Sequence, residues 1–131
     1  MKSDIKIPES TDVHLAIAHE YNELFKTHDW TAYLINKKEG ALDGVLIVSH
    51  GYDGSVKTSV MRHKLASLPA GSAAKIELLQ SDVLKLHNEF KITYFFDDIL
   101  FEKTFLFKKN SIKEKALRPI KLLNKQGILQ K

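Results

Sequence analysis

Gly-Val-Leu-Ile-Val-Ser-His, residues 44 to 50, is the stretch of this sequence that decides the fold, and the turn Gly51 to Gly54 follows it. Val45 to Val48 form the longest unbroken aliphatic run in the chain. A short aliphatic run that is rich in β-branched residues and bounded by glycines is typical of a strand with both faces buried. We therefore predict that residues 44–50 form the central strand of the protein.

The turn after this strand predicts a hairpin. Asp53-Gly54 is a strong hairpin signal between apolar segments. A return strand is expected over residues 55–63, with Ser49 facing Thr58 and His63 beyond the far end of the strand. Further along, apolar positions alternate with charged ones in a segment that predicts another strand: Ala74, Lys75, Ile76, Glu77 and Leu78.

The clearest hairpin in the sequence spans residues 90–107 and turns at Asp97-Asp98. Apolar, largely aromatic side chains alternate with polar ones along both strands. Pairing across the turn predicts three opposed pairs: Phe96 with Ile99, Tyr94 with Phe101, and Phe90 with Phe105. A slip of one residue would bury the charged side chains, so the pattern fixes the register.

Residues 13–25 allow two interpretations. Val13, Leu15 and Ile17 alternate with small or polar residues, as in a strand with one apolar face. A helix would also bring apolar residues onto one face, namely Ile17, Tyr21, Leu24 and Phe25. We favour a strand up to about residue 19, because the rest of the chain has β patterns, and the helix stays open as an alternative.

Two weaker signals lie outside these segments. Residues 83–86 are expected to form a short strand. Ser111 to Glu114 has the spacing of a capping box, which predicts a short helix, and Pro119 is expected to interrupt this helix or to begin a second turn.

Seven or eight short strands at regular spacing predict an all-β fold, a single antiparallel β-sandwich with short helical turns near the C-terminus. We divide the chain into an extended N-terminal segment (residues 1–11), the sandwich (12–110) and a basic C-terminal segment (111–131) that packs on the sandwich or trails from it. Ile5 and Ile7 alternate with polar residues, so the first segment can include a short edge strand.

Residues 30–79 present strands and turns in a particular order. Asn36 ends one strand, Tyr52 to Gly54 forms a turn, and Leu68 to Gly71 forms another turn before the strand at 74–78. This order resembles immunoglobulin-like sandwich modules of bacteria, and the whole chain resembles small bacterial proteins of uncharacterised function. The resemblance implies an immunoglobulin-like fold and a binding or scaffolding role, and it supplies no catalytic residues.

The composition excludes several chemistries. The chain has no cysteine, which rules out disulfides, thiolate metal sites and cysteine nucleophiles. No window approaches the ~18 apolar residues of a membrane span, and the N-terminus lacks the apolar stretch of a secretory signal. We therefore expect a cytoplasmic protein that does not bind membranes.

Charge is distributed unevenly along the chain. Residues 103–131 contain nine Lys or Arg and one acid, whereas residues 1–102 contain eleven basic and fifteen acidic residues. A basic C-terminal quarter is a candidate surface for nucleic acid or another polyanion. The candidate polyanion-binding residues are Lys108, Lys109, Lys113, Lys115, Arg118, Lys121 and Lys125. The alternative interpretation is a solvated surface whose lysines discourage aggregation at strand edges.

No catalytic or cofactor motif is present in the sequence. The six histidines have no metal-ligand spacing, and neither a nucleophile elbow nor a phosphate-binding glycine loop occurs. We therefore predict no catalytic residue, no metal and no cofactor.

The preferred interpretation is a non-enzymatic binding or protein-interaction module of a bacterial cell. The candidate contact residues are His50, Tyr52 and Arg62, around the main turn. A homodimer through edge strands is also plausible. The alternatives are a nucleic-acid or ribosome-associated protein that uses the basic quarter, and an enzyme with an unrecognised pocket.

Overall fold

A computed structural model describes residues 7–131, and this part of the chain is built from β-strands with no α-helix. The strands are β1 (Val13–Asn22), β2 (Thr27–Asn36), β3 (Leu42–Asp53), β4 (Val56–Lys57), β5 (Met61–Leu68), β6 (Ser72–Leu79), β7 (His87–Phe96), β8 (Ile99–Phe107), β9 (Arg118–Ile120) and β10 (Lys125–Gln130). Three single 3-10 turns interrupt them, at Val83–Lys85, Glu114–Ala116 and Lys121–Leu123. The predicted all-β fold with short helical turns near the C-terminus is confirmed. The edge strand expected around Ile5 lies outside the described residues.

The strands form two antiparallel sheets. The first has the order β6-β2-β1-β10-β9, and the second has the order β4-β3-β7-β8, with β5 also pairing with β3. Within residues 7–131, β6 and β9 are therefore the edges of the first sheet, and β8 is one edge of the second sheet. The other edge of the second sheet is shared by β4 and β5.

One apolar core lies between the two sheets. Alternate residues of β1 and β2 point inward from the first sheet, and alternate residues of β3, β7 and β8 point inward from the second. Fully buried side chains at this core include Leu15, Ile17, Leu34, Val45, Ile47, Phe90, Ile92 and Tyr94. Ile112 joins the same core, which anchors the chain after β8.

The predicted central strand is confirmed, since β3 lies between β5 and β7. Val45 and Ile47 are buried in the core, but Leu46 and Val48 are only half-buried on the outer face. The expectation that both faces are fully buried was therefore wrong. Gly44 has a φ of 53°, at the point where the register with β7 shifts, so the strand begins with an irregularity that glycine accommodates.

The hairpin of β7 and β8 has the predicted register. Its pairs include Phe96 with Ile99, Tyr94 with Phe101, and Phe90 with Phe105. Asp97 and Asp98 both have positive φ, 52° and 63°, which is the backbone of a tight two-residue hairpin turn. Aspartate tolerates this conformation better than most residues that have a side chain.

The structure corrects three local predictions and decides between the two interpretations of residues 13–25. The return strand after the main turn is broken into β4 and β5, so that Ser49 faces Met61 and His63 faces Ile47. The short strand expected over residues 83–86 is absent, and a 3-10 turn forms at Val83–Lys85 instead. Ser111 does not cap a helix, because its hydroxyl binds the carbonyl of Lys108. The favoured strand at the start of residues 13–25 is confirmed and extends to residue 22, whereas the helical alternative was wrong.

The C-terminal strands complete the first sheet. β10 pairs with β1, and β9 pairs with β10. At the end of β9 the chain lies over the outer face of this sheet, where Ile120 packs against Ala16 and Ile35. The close approach needs Gly127, because a Cβ at that position would lie 2.6 Å from Ile120 Cδ1 and 2.9 Å from the carbonyl oxygen of Ile17.

Candidate binding surface at the β5–β6 seam

β5 and β6 are edge strands of different sheets that lie on the same side of the molecule. The chain crosses from β5 to β6 through a short turn at Pro69 to Gly71, where Gly71 has a φ of 63°. Each strand pairs on one side only within the described chain, β5 with β3 and β6 with β2. We call residues 61–79 the β5–β6 seam.

A bulge in β6 turns one acidic side chain toward the inside of the molecule. The register of β6 with β2 shifts between Ala32 and Tyr33, so Lys75 faces Tyr33 while Glu77 faces Ala32. Ala32 belongs to the buried core. Lys75 and Glu77, two residues apart, therefore point to opposite faces, because a bulge adds one residue to a strand and inverts the alternation beyond it.

Glu77 meets two polar side chains of the other sheet. Its Oε1 atom accepts hydrogen bonds from Ser49 Oγ at 2.7 Å and from His63 Nε2 at 2.9 Å. Ser49 is buried, and the other two side chains are mostly covered. The cluster thus satisfies polar groups that would otherwise be costly to bury, and it ties the edge of one sheet to the other.

The order of these hydrogen bonds differs from that of a catalytic triad. In a triad the imidazole stands between the nucleophile and the acid, and it removes the proton of the nucleophile. Here the carboxylate of Glu77 stands in the middle, and both Ser49 and His63 donate to it. The arrangement holds the serine hydroxyl as a donor to a carboxylate, and within residues 7–131 this hydroxyl makes no hydrogen bond to an imidazole.

A cleft of about 330 Å³ opens beside this cluster. Ser49, Gly51, Glu77, Asn88 and Phe90 line its inner part. Met61 of β5 and Leu78 of β6 stand at its rim and are 47% and 51% exposed. Two large apolar side chains at the mouth of a cleft form an exposed patch of the kind that marks contact sites.

Exposed cations lie on the outer face of the second sheet, beside the seam. Lys57, Arg62 and Lys64 are exposed, and residues 56–68 contain no acidic residue. Arg62 faces Val48, and so it lies on the outer face of the sheet beside the seam. A ligand that runs along β5 would therefore meet positive charge as well as apolar surface.

The predicted contact residues lie beside this cleft. The rings of His50 and Tyr52 stack at 5.4 Å between centroids, and His87 of β7 adds a third ring 5.2 Å from Tyr52. His50 also lines the cleft. Arg62 lies on the same outer face, across from Val48. The structure thus brings His50 and Tyr52 into contact and places Arg62 on the neighbouring strand.

The predicted polyanion-binding residues are spread over several surfaces. Two of them lie near acids: Lys109 Nζ is 3.4 Å from Asp53, and Lys125 Nζ is 3.5 Å from Glu20. The other five are exposed and form no ion pair with any residue in 7–131: Lys108, Lys113, Lys115, Arg118 and Lys121.

A separate charged network covers the outer face of the first sheet. Glu20 accepts a 2.6 Å hydrogen bond from Tyr33 and lies 3.1 Å from Lys75 Nζ. Burial opposes ionisation of Glu20, but the bonds from Tyr33 and Lys75 outweigh it and lower the pKa of this carboxyl. Burial, followed by the bond to Glu20, raises the pKa of Tyr33.

Sequence reasoning missed three residues of the cluster: Ser49, His63 and Glu77. The alternation of residues 74–78 gives no sign of the bulge, so Glu77 looks equivalent to Lys75. The position of His63 depends on the break between β4 and β5, which the Asp-Gly turn signal does not reveal. The exposed positions of Met61 and Leu78 depend on which strands form the edges, and that is a property of the whole fold.

Residues 7–131 bring no three His, Asp or Glu side chains together in a group that could hold a metal ion. No helix in the described chain is long and apolar enough to cross a membrane. Comparison of the sequence with protein-family models and curated proteins, and of the fold with solved structures, finds no match.

Proposed function

We propose that this chain is a non-enzymatic protein-interaction module and that the β5–β6 seam is its binding surface. The observation that carries the proposal is the pair of exposed apolar side chains, Met61 and Leu78. They stand at the rim of a cleft beside two strand edges that have no further strand partner within residues 7–131. Apolar anchors beside free backbone donors and acceptors suit a partner segment that adds as a strand.

The edge of β5 is better suited to strand addition than that of β6. β5 runs for eight residues, and its pairing with β3 ends only at Leu68. β6 contains the bulge near Ile76, which disturbs the regular spacing of backbone groups. We therefore place an extended partner segment along β5, with an apolar side chain of the partner in the cleft.

The charges around the seam favour an acidic partner. Arg62 and Lys64 are exposed on β5, and Lys57 is exposed on the neighbouring strand β4. One acid of the seam, Glu77, is already engaged by Ser49 and His63. Acidic residues in the partner would make favourable contacts with these cations and would speed association. Salt would weaken this electrostatic contribution, whereas the apolar contacts would remain.

Capture from a lysate with matched variants tests the surface. The double variant Met61→Glu/Leu78→Glu places two charges at the cleft, and Ile99→Glu is the control, because Ile99 is 49% exposed on the separate β7–β8 turn. The wild type and the control should retain the same protein at low and high salt, and the double variant should lose it. Equal retention by all three chains would exclude the seam.

The immunoglobulin-like sandwich stays part of this proposal. Two features support this fold: the pair of antiparallel sheets, and the crossing between them at residues 69–71. This crossing lies within residues 30–79, the stretch whose pattern resembles immunoglobulin-like modules. The cytoplasm remains the proposed location, since the chain has no cysteine to oxidise.

A homodimer through edge strands is a related possibility, because a second copy can supply the added strand. Sedimentation of the wild type over a range of concentrations distinguishes it from binding of a different protein. A dimer that Met61→Glu/Leu78→Glu dissociates and Ile99→Glu leaves intact would make the partner another copy of the chain.

Nucleic-acid binding is the second candidate function. It is favoured by the exposed cations Lys113, Lys115, Arg118 and Lys121, which form no ion pair with residues 7–131. Binding to phosphates should fall steeply with salt. Reversal of charge at Lys113, Lys115 and Lys121 should abolish it, and salt-insensitive binding would contradict this function.

A further inference from the structure

A second cleft lies on the outer face of the first sheet, where the loop after β9 folds back over β1 and β2. Its volume is about 210 Å³. Apolar side chains line part of it, among them Ile35, Ile120 and Leu129, and cationic ones line the rest, namely Lys37, Arg118 and Lys121. Among the described residues, no acidic side chain lines this cleft.

His14 lies at this cleft with an unsatisfied nitrogen. Its Nδ1 atom is buried and has no hydrogen-bond partner in the described chain. His14 also borders a neighbouring, wider cleft that holds Lys37 and Lys131 together with the acids Asp12 and Glu39.

The surroundings of His14 are electropositive. Burial lowers the pKa of this imidazole, and the positive charges of Lys103, Lys37 and Lys131 lower it further, while Asp12 acts in the opposite direction. Because its pKa is lowered, His14 is neutral at neutral pH. The nearby lysines are then the dominant charges around its ring. The cations of the cleft have no ion-pair partner among residues 7–131.

The geometry points to a binding site for a small amphiphilic anion in this cleft. The carboxylate or phosphate of the ligand would contact Lys37, Arg118 and Lys121, and its apolar body would lie against the apolar lining. His14 would lie beside the bound ligand. A volume of about 210 Å³ is below the range of drug-sized ligands, so the apolar body is one ring or a short chain.

Four small probes test the site by NMR titration of the full chain. Benzoate and phenyl phosphate combine an apolar body with an anion, benzyl alcohol lacks the charge, and inorganic phosphate lacks the apolar body. Benzoate or phenyl phosphate should bind saturably, at least ~10-fold more tightly than the other two, and should shift the signals of His14, Ile35 and Leu129. The bound anion should also raise the pKa of His14, because it offsets the positive charges around the ring.

Matched variants show whether the probes bind in this cleft. Arg118→Gln/Lys121→Gln should weaken the tighter probe by ~10-fold or more. Lys113→Gln/Lys115→Gln removes the same charge from exposed positions outside the cleft and should leave binding unchanged. Thermal unfolding of each variant checks that the fold is retained.

Several results would overturn the site. These are the absence of saturable binding, binding of inorganic phosphate as tight as that of phenyl phosphate, or equal losses of probe affinity in the two double variants.

If the site binds the probes, the preference between benzoate and phenyl phosphate identifies the anionic group of the ligand. Met61→Glu/Leu78→Glu should leave probe binding intact, so failure of the seam proposal and failure of this site are separable.

Discussion

Glu77 and Ser49 belong to different sheets, and the 2.7 Å hydrogen bond from Ser49 Oγ to Glu77 Oε1 links the bulged edge strand of one sheet to the inner strand of the other. His63 donates to the same oxygen at 2.9 Å. Removal of this acceptor should therefore loosen the seam as well as leave a buried hydroxyl unsatisfied.

Glu77→Ala should lower the free energy of unfolding by about 1–3 kcal/mol, the usual cost of an unsatisfied buried polar group. Glu77→Gln should cost less, since its amide oxygen can still accept one of the two hydrogen bonds. Glu39→Ala, at an exposed position, is the control and should change stability by less than about 0.5 kcal/mol. Urea unfolding followed by circular dichroism measures all three, and equal stability of Glu77→Ala and the control would rule out the linking role.

The lowered pKa of His14 predicts a loss of stability in mild acid. The folded protein binds this proton less readily than the unfolded chain, whose histidine titrates near 6.5. The stabilising contribution of neutral His14 is therefore complete above that pH and declines as the pH falls toward the folded value. The free energy of unfolding should fall less between pH 8 and pH 5 in His14→Gln than in the wild type, whereas the exposed-site control His28→Gln should follow the wild type.

Tyr33→Phe should weaken the charged network on the outer face of the first sheet. It removes the 2.6 Å hydrogen bond to Glu20 and should cost about 1–2 kcal/mol at pH 7. The pKa of Glu20 should rise, because burial then acts with less opposition.

The contribution of ionised Glu20 is present above its ordinary value of 4.5 and is lost as the pH falls through the lowered folded value, so the deficit of Tyr33→Phe should shrink in acid. Carbon-detected NMR titration of the Glu20 carboxyl gives the pKa directly. Tyr21→Phe, at an exposed position, is the control, and the same pKa of Glu20 in both variants would contradict the prediction.

Gly127→Ala should be destabilising by about 1–3 kcal/mol, since its Cβ would overlap the side chain of Ile120 and approach the backbone of Ile17. Ile120→Val removes the Cδ1 atom that lies 2.6 Å from this Cβ. The double variant should therefore be more stable than the sum of the two single effects predicts. Additive effects in a double-mutant cycle would show that the crowding is not at Ile120.

The sequence was sufficient for the features that depend on local patterning. The alternation along residues 90–107 fixed the pairing of Phe90 with Phe105, because a shifted register would bury charges. The aliphatic run at Val45 to Val48 identified the central strand. This run overstated the burial of β3, because the outer face of the strand is only half-buried in this two-sheet arrangement.

The candidate site could not be predicted in the same way. The bulge that turns Glu77 inward adds one residue without a glycine or proline to mark it. The partners of Glu77 come from β3 and β5, which lie 28 and 14 residues away in sequence. The cations around His14 likewise converge from separate elements, with Lys37 after β2 and Arg118 in β9.

Amide hydrogen exchange with and without the captured partner tests the proposed binding surface most directly. If the partner adds a strand at the seam, its binding should slow exchange at the outward-facing amides of β5, residues 61–68, and at the rim near Leu78. Protection confined to residues 108–125 would contradict the seam and assign binding to the basic C-terminal surface.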